Sequence, residues 1–166
     1  IVDGTMGVVQ AAPTAELLAQ YRARQNGAAA EKRLLEQFRG LPTQTKDGKT
    51  LQVLGNIGTP AEAVQVAEED GEGVGLFRTE FLYMNRTEAP DEETQYQAYQ
   101  RVCDVLKGKP VIIRTLDVGG DKDIPYLHLE QEENPFLGYR AVRYCLGNQD
   151  AFRTQLTALM RAGADS

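Results

Sequence analysis

The chain is short of several residue types, and each shortage closes off a class of function. Its 18 basic residues are outnumbered by 24 acidic ones, for a net charge of −6, and no basic stripe with interleaved aromatics runs along any segment. A nucleic-acid surface needs such a face, so that class is set aside. No apolar run is long enough to span a bilayer, and the first residues do not have the pattern of a signal peptide, which argues against membrane insertion. Cys103 and Cys145 lie far apart and outside any metal-ligand spacing. Buried free thiols in a reducing, cytoplasmic setting are therefore expected. There is also no initiator methionine, and the chain opens inside what reads as a strand, as if cut from something longer.

What is present is the composition of a soluble globular protein. With 166 residues, 42% hydrophobic and 25% charged, the chain can bury a core as one domain or a little more. Its acids gather at Glu68-Glu69-Asp70, Asp91-Glu92-Glu93 and Glu130 to Glu133, which read as solvated faces. Ile1-Val2, a turn at Asp3-Gly4, and Gly7-Val8-Val9 predict a short β-hairpin. Thr14 then caps a helix with Leu17, Leu18 and Tyr21 on its apolar side; Gly27 weakens the middle. The pattern resumes through Leu34, Leu35 and Phe38 until Gly40-Leu41-Pro42 stops it. Such a stretch fits a connector between domains and an ordinary packing helix equally well.

From Lys49 onward strands and helices alternate. Leu51 to Leu54 reads as a strand ending at Gly55-Asn56-Ile57-Gly58, and Thr59-Pro60-Ala61-Glu62 as a capping box opening a helix with Ala63, Val64 and Ala67. A second strand spans Val74 to Phe77. Pro90-Asp91 opens a helix carrying Tyr96, Tyr99, Val102 and Leu106, and a third strand starts at Val111. Asn134-Pro135 is read as the cap of a helix with Leu137, Ala141, Val142 and Cys145; the last helix, from Asp150, uses Phe152, Leu156, Leu159 and Met160. This alternation predicts an α/β fold with parallel strands, either a (β/α)8 barrel sector or an open doubly wound sheet. In both, ligands bind at the C-terminal strand ends, here Asn56, Arg78 and Arg114.

Two of those ends share a design. Val74-Gly75-Leu76-Phe77-Arg78-Thr79-Glu80 and Val111-Ile112-Ile113-Arg114-Thr115-Leu116-Asp117 both run from apolar residues into Arg-Thr and then an acid. An isolated arginine there would be read as paired with Glu80 or Asp117. Two in matching contexts point instead to one anion between two guanidinium forks, which suit phosphate or carboxylate oxygens. The loop Gly119-Gly120-Asp121-Lys122 lacks the spacing of a P-loop, although Lys122 can add a point charge. Arg140, one turn into the helix read from Asn134, can face the cleft or pair with Glu132 or Glu133. His128 lacks the glycine-rich surroundings of a phosphorylated imidazole and is read as structural or solvated.

Gly73 to Met84, Arg114 to Lys122 and Glu133 to Arg140, in that order, closely resemble the enzyme I family of the bacterial sugar phosphotransferase system, the phosphoenolpyruvate–protein phosphotransferases. Asp3-Gly4-Thr5-Met6-Gly7 resembles the closing hairpin of that family's phosphohistidine domain. Pyruvate phosphate dikinase and phosphoenolpyruvate synthase share the barrel and the first arginine motif.

The resemblance implies that residues 1–13 end the phosphohistidine domain, 14–42 form a helical linker, and 43–166 are the first three or so βα units of a phosphoenolpyruvate-binding (β/α)8 barrel. It implies that Arg78 and Arg114 hold the phosphate of phosphoenolpyruvate, with Lys122, Arg140 and Asn56 in the same substrate site. The phosphorylated histidine, the magnesium ligands and the acid cysteine are expected outside this chain. Cys103 and Cys145 are expected on helices away from the strand ends. The phosphoryl group is expected to pass to a histidine-containing phosphocarrier protein, and the parent to be a cytoplasmic homodimer. The chain alone is expected to be inactive and, with open sheet edges and an uncovered apolar face, to self-associate. A non-catalytic anion-binding or interaction module is the alternative of a different class.

Overall fold

The computed structural model describes residues 1–119, 124–130 and 132–164. The chain divides into two compact units, Ile1–Pro42 and Thr43–Ser166. In the first, strands β1 (Val2–Asp3) and β2 (Val8–Val9) pair antiparallel. Their turn is closed by Asp3, whose Oδ1 accepts from the amides of Thr5 and Met6 at 3.1 and 3.0 Å. Helix α1 (Ala15–Glu36) starts where Thr14 Oγ1 accepts from Leu17 N. It runs unbroken through Gly27, and none of its residues is buried. Gln37 caps it, so the helix stops ahead of Gly40, whose positive φ turns the chain.

The second unit is a mixed α/β arrangement around a three-stranded parallel sheet ordered β3-β4-β5, with β3 at Gly55–Ile57, β4 at Val74–Arg78 and β5 at Val111–Arg114. The connections are right for parallel strands: α2 (Pro60–Glu68) between β3 and β4, and α3 (Glu92–Val105) between β4 and β5. Helices α4 (Ala141–Gly147) and α5 (Gln149–Ala164) follow, and α5 lies along α3. Asp91 caps α3 by accepting from Thr94 N at 2.8 Å. Gly73 admits β4 to the sheet with φ +146°; a Cβ there would fall 2.3 Å from the Pro110 carbonyl oxygen.

The core lies on one face of this sheet. Ile57, Val74 and Phe77 are buried with Ala63, Tyr99, Val102, Leu106, Ala158 and Ala162, and Phe77 meets Tyr99 edge to face. A second cluster joins Tyr83, Leu116, Val118, Ile124, Tyr144 and Cys145.

Four local expectations are corrected. The first strand lies at Gly55–Ile57 rather than Leu51–Leu54, because the amides of Leu51 and Val53 bond the Thr43 carbonyl and the Glu72 carboxylate instead of a strand. The capping box is displaced: Thr59 makes no side-chain cap bond, and Glu62 reaches back to Gly58 N at 2.8 Å. Asn134 to Tyr139 form turns, not a helix; Tyr139 N is drawn to Glu132 Oε1, and α4 begins only after Arg140, leaving Leu137 77% exposed. Finally, α5 turns Gln155, Ala158 and Ala162 inward while Met160 is 77% exposed, since its close approach to α3 suits small side chains.

Candidate functional site

Alternation along the strands sorts the sheet into two faces. Phe77 is registered with both Ile57 and Ile113, all on the helix-covered side. The residues between them point the other way: Asn56 beside Leu76, and Arg78 directly beside Arg114. The two arginines are thus register partners at the C-terminal ends of adjacent parallel strands. Asn56 shares their face two residues earlier and is exposed.

Their guanidinium groups keep different company. Arg78 Cζ lies 4.7 Å from the centre of the Phe81 ring. Arg114 forms both ion pairs that the sequence offered as the alternative: Nη2 donates to Glu80 Oε1 at 2.6 Å, and Nη1 lies 3.2 Å from Asp117 Oδ2. Glu80 is only 2% exposed, so this carboxylate sits inside the protein with its counter-ion. Asp117 also draws in Arg140, whose Nε donates to Oδ1 at 2.9 Å and whose Cζ lies 5.1 Å from the Phe136 ring centre. Arg140 therefore joins the group through Asp117. It stands at the N-cap of α4 rather than one turn inside a helix. Lys122 lies outside the described residues.

The polar accounts of this corner are left open. Buried atoms without a hydrogen-bond partner, among the described residues, are Arg78 Nε, Arg114 Nε, Glu80 Oε2 and, on α3, Gln100 Oε1. Orphaned buried donors are costly, and here two belong to the register-paired arginines at the strand ends. Among the described residues, Arg78, Arg114 and Arg140 share this corner with the carboxylates of Glu80 and Asp117.

Behind the arginines lies a polar layer that the sequence did not reveal. Thr79 and Gln155 are buried, and Gln155 bridges Thr79, Tyr99 and Leu116. Its only signal was a polar residue in phase with an inward stripe, Gln155 with Ala158 and Ala162, as Gln95 is with Tyr99 and Val102. Burial pushes the Tyr99 phenol up to about 12, against a smaller opposing effect of its bond with Gln155. Tyr83 is raised by burial as well.

Cys145, expected away from the strand ends, instead packs beneath that of β5: its Sγ donates to the Leu116 carbonyl at 3.5 Å. Burial, then the Asp117 carboxylate, raise its thiol, so it stays protonated and unreactive. Cys103 is half-buried on α3. His128 is exposed, in a left-handed conformation after a short 3₁₀ turn. Among the described residues no three His, Cys, Asp or Glu side chains are gathered to hold a metal. No helix there is long and apolar enough to cross a membrane.

Residues 32–166 match the family described as PEP-utilising enzyme, PEP-binding domain. Over 162 residues the chain is 50% identical to the phosphoenolpyruvate-protein phosphotransferase of Bacillus subtilis (strain 168), 48% to that of Staphylococcus carnosus (strain TM300) and 49% to that of Latilactobacillus sakei. Each alignment covers 98% of this chain and 28% of the relative, so the chain spans under a third of their length.

Proposed function

Because this chain belongs to the family of PEP-utilising enzymes, through its PEP-binding domain, we propose that it supplies part of the substrate site of a phosphoenolpyruvate–protein phosphotransferase. Arg78 and Arg114 grip the phosphate of phosphoenolpyruvate from adjacent strand ends. Asn56 contributes from the same face and Arg140 from the far side of Asp117; Lys122, outside the described residues, is assigned to the same substrate by the sequence motif alone. The support is the register pairing of the two arginines, each with a buried Nε–H that has no partner among the described residues.

Two fixed forks of opposite charge suit a phosphoryl group, which needs orientation and charge stabilisation more than covalent help. Glu80 and Asp117 hold Arg114 in place before the ligand arrives, which limits the conformational entropy lost on binding. The sheet with helices on one face is read as a sector of a (β/α)8 barrel covering residues 43–166, its arginine face turned inward. Helix α1 is read as the linker of residues 14–42, and the β1–β2 hairpin, within residues 1–13, as the end of a phosphohistidine domain.

The whole protein would move the phosphoryl group to its own histidine and then to a histidine-containing phosphocarrier, in the cytoplasm and as a homodimer. The described residues do not fit a magnesium site, so its ligands are placed outside them and no task here depends on the metal. Relatives named as phosphotransferases favour this reading over a dikinase or a non-catalytic module.

The test is a titration of the arginine Nε–H resonances of the chain with phosphoenolpyruvate. Arg78 and Arg114 should shift together, and Arg78→Ala or Arg114→Ala should each weaken binding about tenfold or more. Undiminished affinity in the double variant would refute the site. With labelled phosphoenolpyruvate and magnesium the chain alone should stay unlabelled; acid-labile phosphate on His128 would overturn the assignment of that residue.

A further inference from the structure

A hydroxyl and a carboxamide behind the two arginines belong to one directed hydrogen-bond chain. Thr79, the residue after Arg78, is fully buried, and its Oγ1 donates to the Arg114 carbonyl at 2.8 Å. The same oxygen accepts from Gln155 Nε2 at 3.2 Å. Gln155 Nε2 also donates to Tyr99 OH at 3.1 Å, while its Oε1 accepts from Leu116 N at 2.8 Å. Tyr99 OH donates in turn to Gln95 Oε1 at 3.0 Å, and Gln95 Nε2 to the Pro90 carbonyl at 2.9 Å. The direction is unambiguous, because the carbonyls of Arg114 and Pro90 only accept and Leu116 N only donates.

We infer that Gln155, acting through Thr79 and Leu116, is a positioning residue for the anion site. Its one carboxamide ties the residue that follows Arg78 to the residue two beyond Arg114, so the two guanidinium groups keep a single spacing. This rests on the reading of Arg78 and Arg114 as phosphate ligands. A fully satisfied buried network rigidifies what it joins, and a two-pronged clamp depends on prongs that do not drift. Packing alone does not call for glutamine here: the next inward residues of α5 are Ala158 and Ala162. An apolar side chain would fill the space but leave Leu116 N unpaired in the core.

The experiment measures solvent exchange of the Arg78 and Arg114 Nε–H groups without ligand, and affinity for inorganic phosphate, in the chain and its variants. Gln155→Met and Thr79→Val should each speed that exchange and weaken phosphate about tenfold, while backbone amide exchange in α2 stays unchanged. Thr79→Ser, which keeps the hydroxyl, should restore both readouts. A folded Gln155→Met with unaltered exchange and affinity overturns the inference. If that variant does not fold, Thr79→Val without effect, or Thr79→Ser without rescue, overturns it equally. Arginines of the unaltered chain that ignore phosphate, combined with accelerated exchange in the variants, would remove the phosphate reading and overturn the role at an anion site, leaving Gln155 as a tie between the two strand ends.

Discussion

The two faces of the β3–β5 sheet are made from alternate residues of the same short strands, yet they do opposite work. Ile57, Phe77 and Ile113 lie under helices, and their neighbours there are apolar. Asn56, Leu76, Arg78, Ile112 and Arg114 face away from that core, and Ile112 is 55% exposed. The closed face gives the sheet its stability. The open face spends little on packing and holds charges that the closed face would not tolerate. A period of two lets one strand carry both roles, provided the register of its neighbours agrees.

That division is broken most severely at Phe77. Phe77→Ala removes a fully buried ring and should cost about 3–5 kcal/mol in urea denaturation; a loss under about 1 kcal/mol would mean the covered face is not the stabilising one. The next effect is alkaline. Tyr99, buried beside Phe77, keeps its proton up to about 12 against an ordinary 10.0. The native state therefore binds more protons than the unfolded chain between those values, and stability present below the lower one is lost as pH rises through the upper. That upward displacement of the phenol corresponds to roughly 2–3 kcal/mol. Melting temperatures should be level near neutrality and fall across that window, with a shallower fall in Tyr99→Phe; equal slopes would exclude Tyr99 as the cause.

On the open face the order of consequences reverses. Arg78→Ala loses, among the described residues, its stacking on Phe81 and an unpartnered Nε, so stability should change by less than about 1 kcal/mol while phosphate binding weakens about tenfold or more. Denaturation and titration on the same sample test both halves. Smallest of all, Ile112→Ser should shift stability by no more than about 0.5 kcal/mol and should reduce self-association in light scattering. A marked destabilisation there would show that the face is covered.

Much of this plan was legible along the chain because it depends on local chemistry. Asp91 before Glu92 reads as a cap and acts as one, and Thr14 does the same for α1. The parallel strands at Val74 and Val111 announce themselves as β-branched and apolar runs, and Arg78 and Arg114 stand at their ends as read. Other features depend on partners far away in sequence. Leu51 and Val53 alternate like a strand, but their amides are taken by Thr43 and Glu72. Leu156 and Met160 have the hydrophobicity of a core, yet the contact with α3 selects Ala158 and Ala162.

By itself the sequence determined the alternation of elements, the helix starts at Thr14 and Asp91, and the placing of two arginines after apolar strands. These follow from periodicity and capping, which act within a few residues. The tertiary structure decided that Arg78 and Arg114 are register partners, that Asp117 gathers Arg140 to Arg114, and that Gln155 is buried rather than solvated. Each of those rests on hydrogen bonds or ion pairs that long-range packing alone brings within reach.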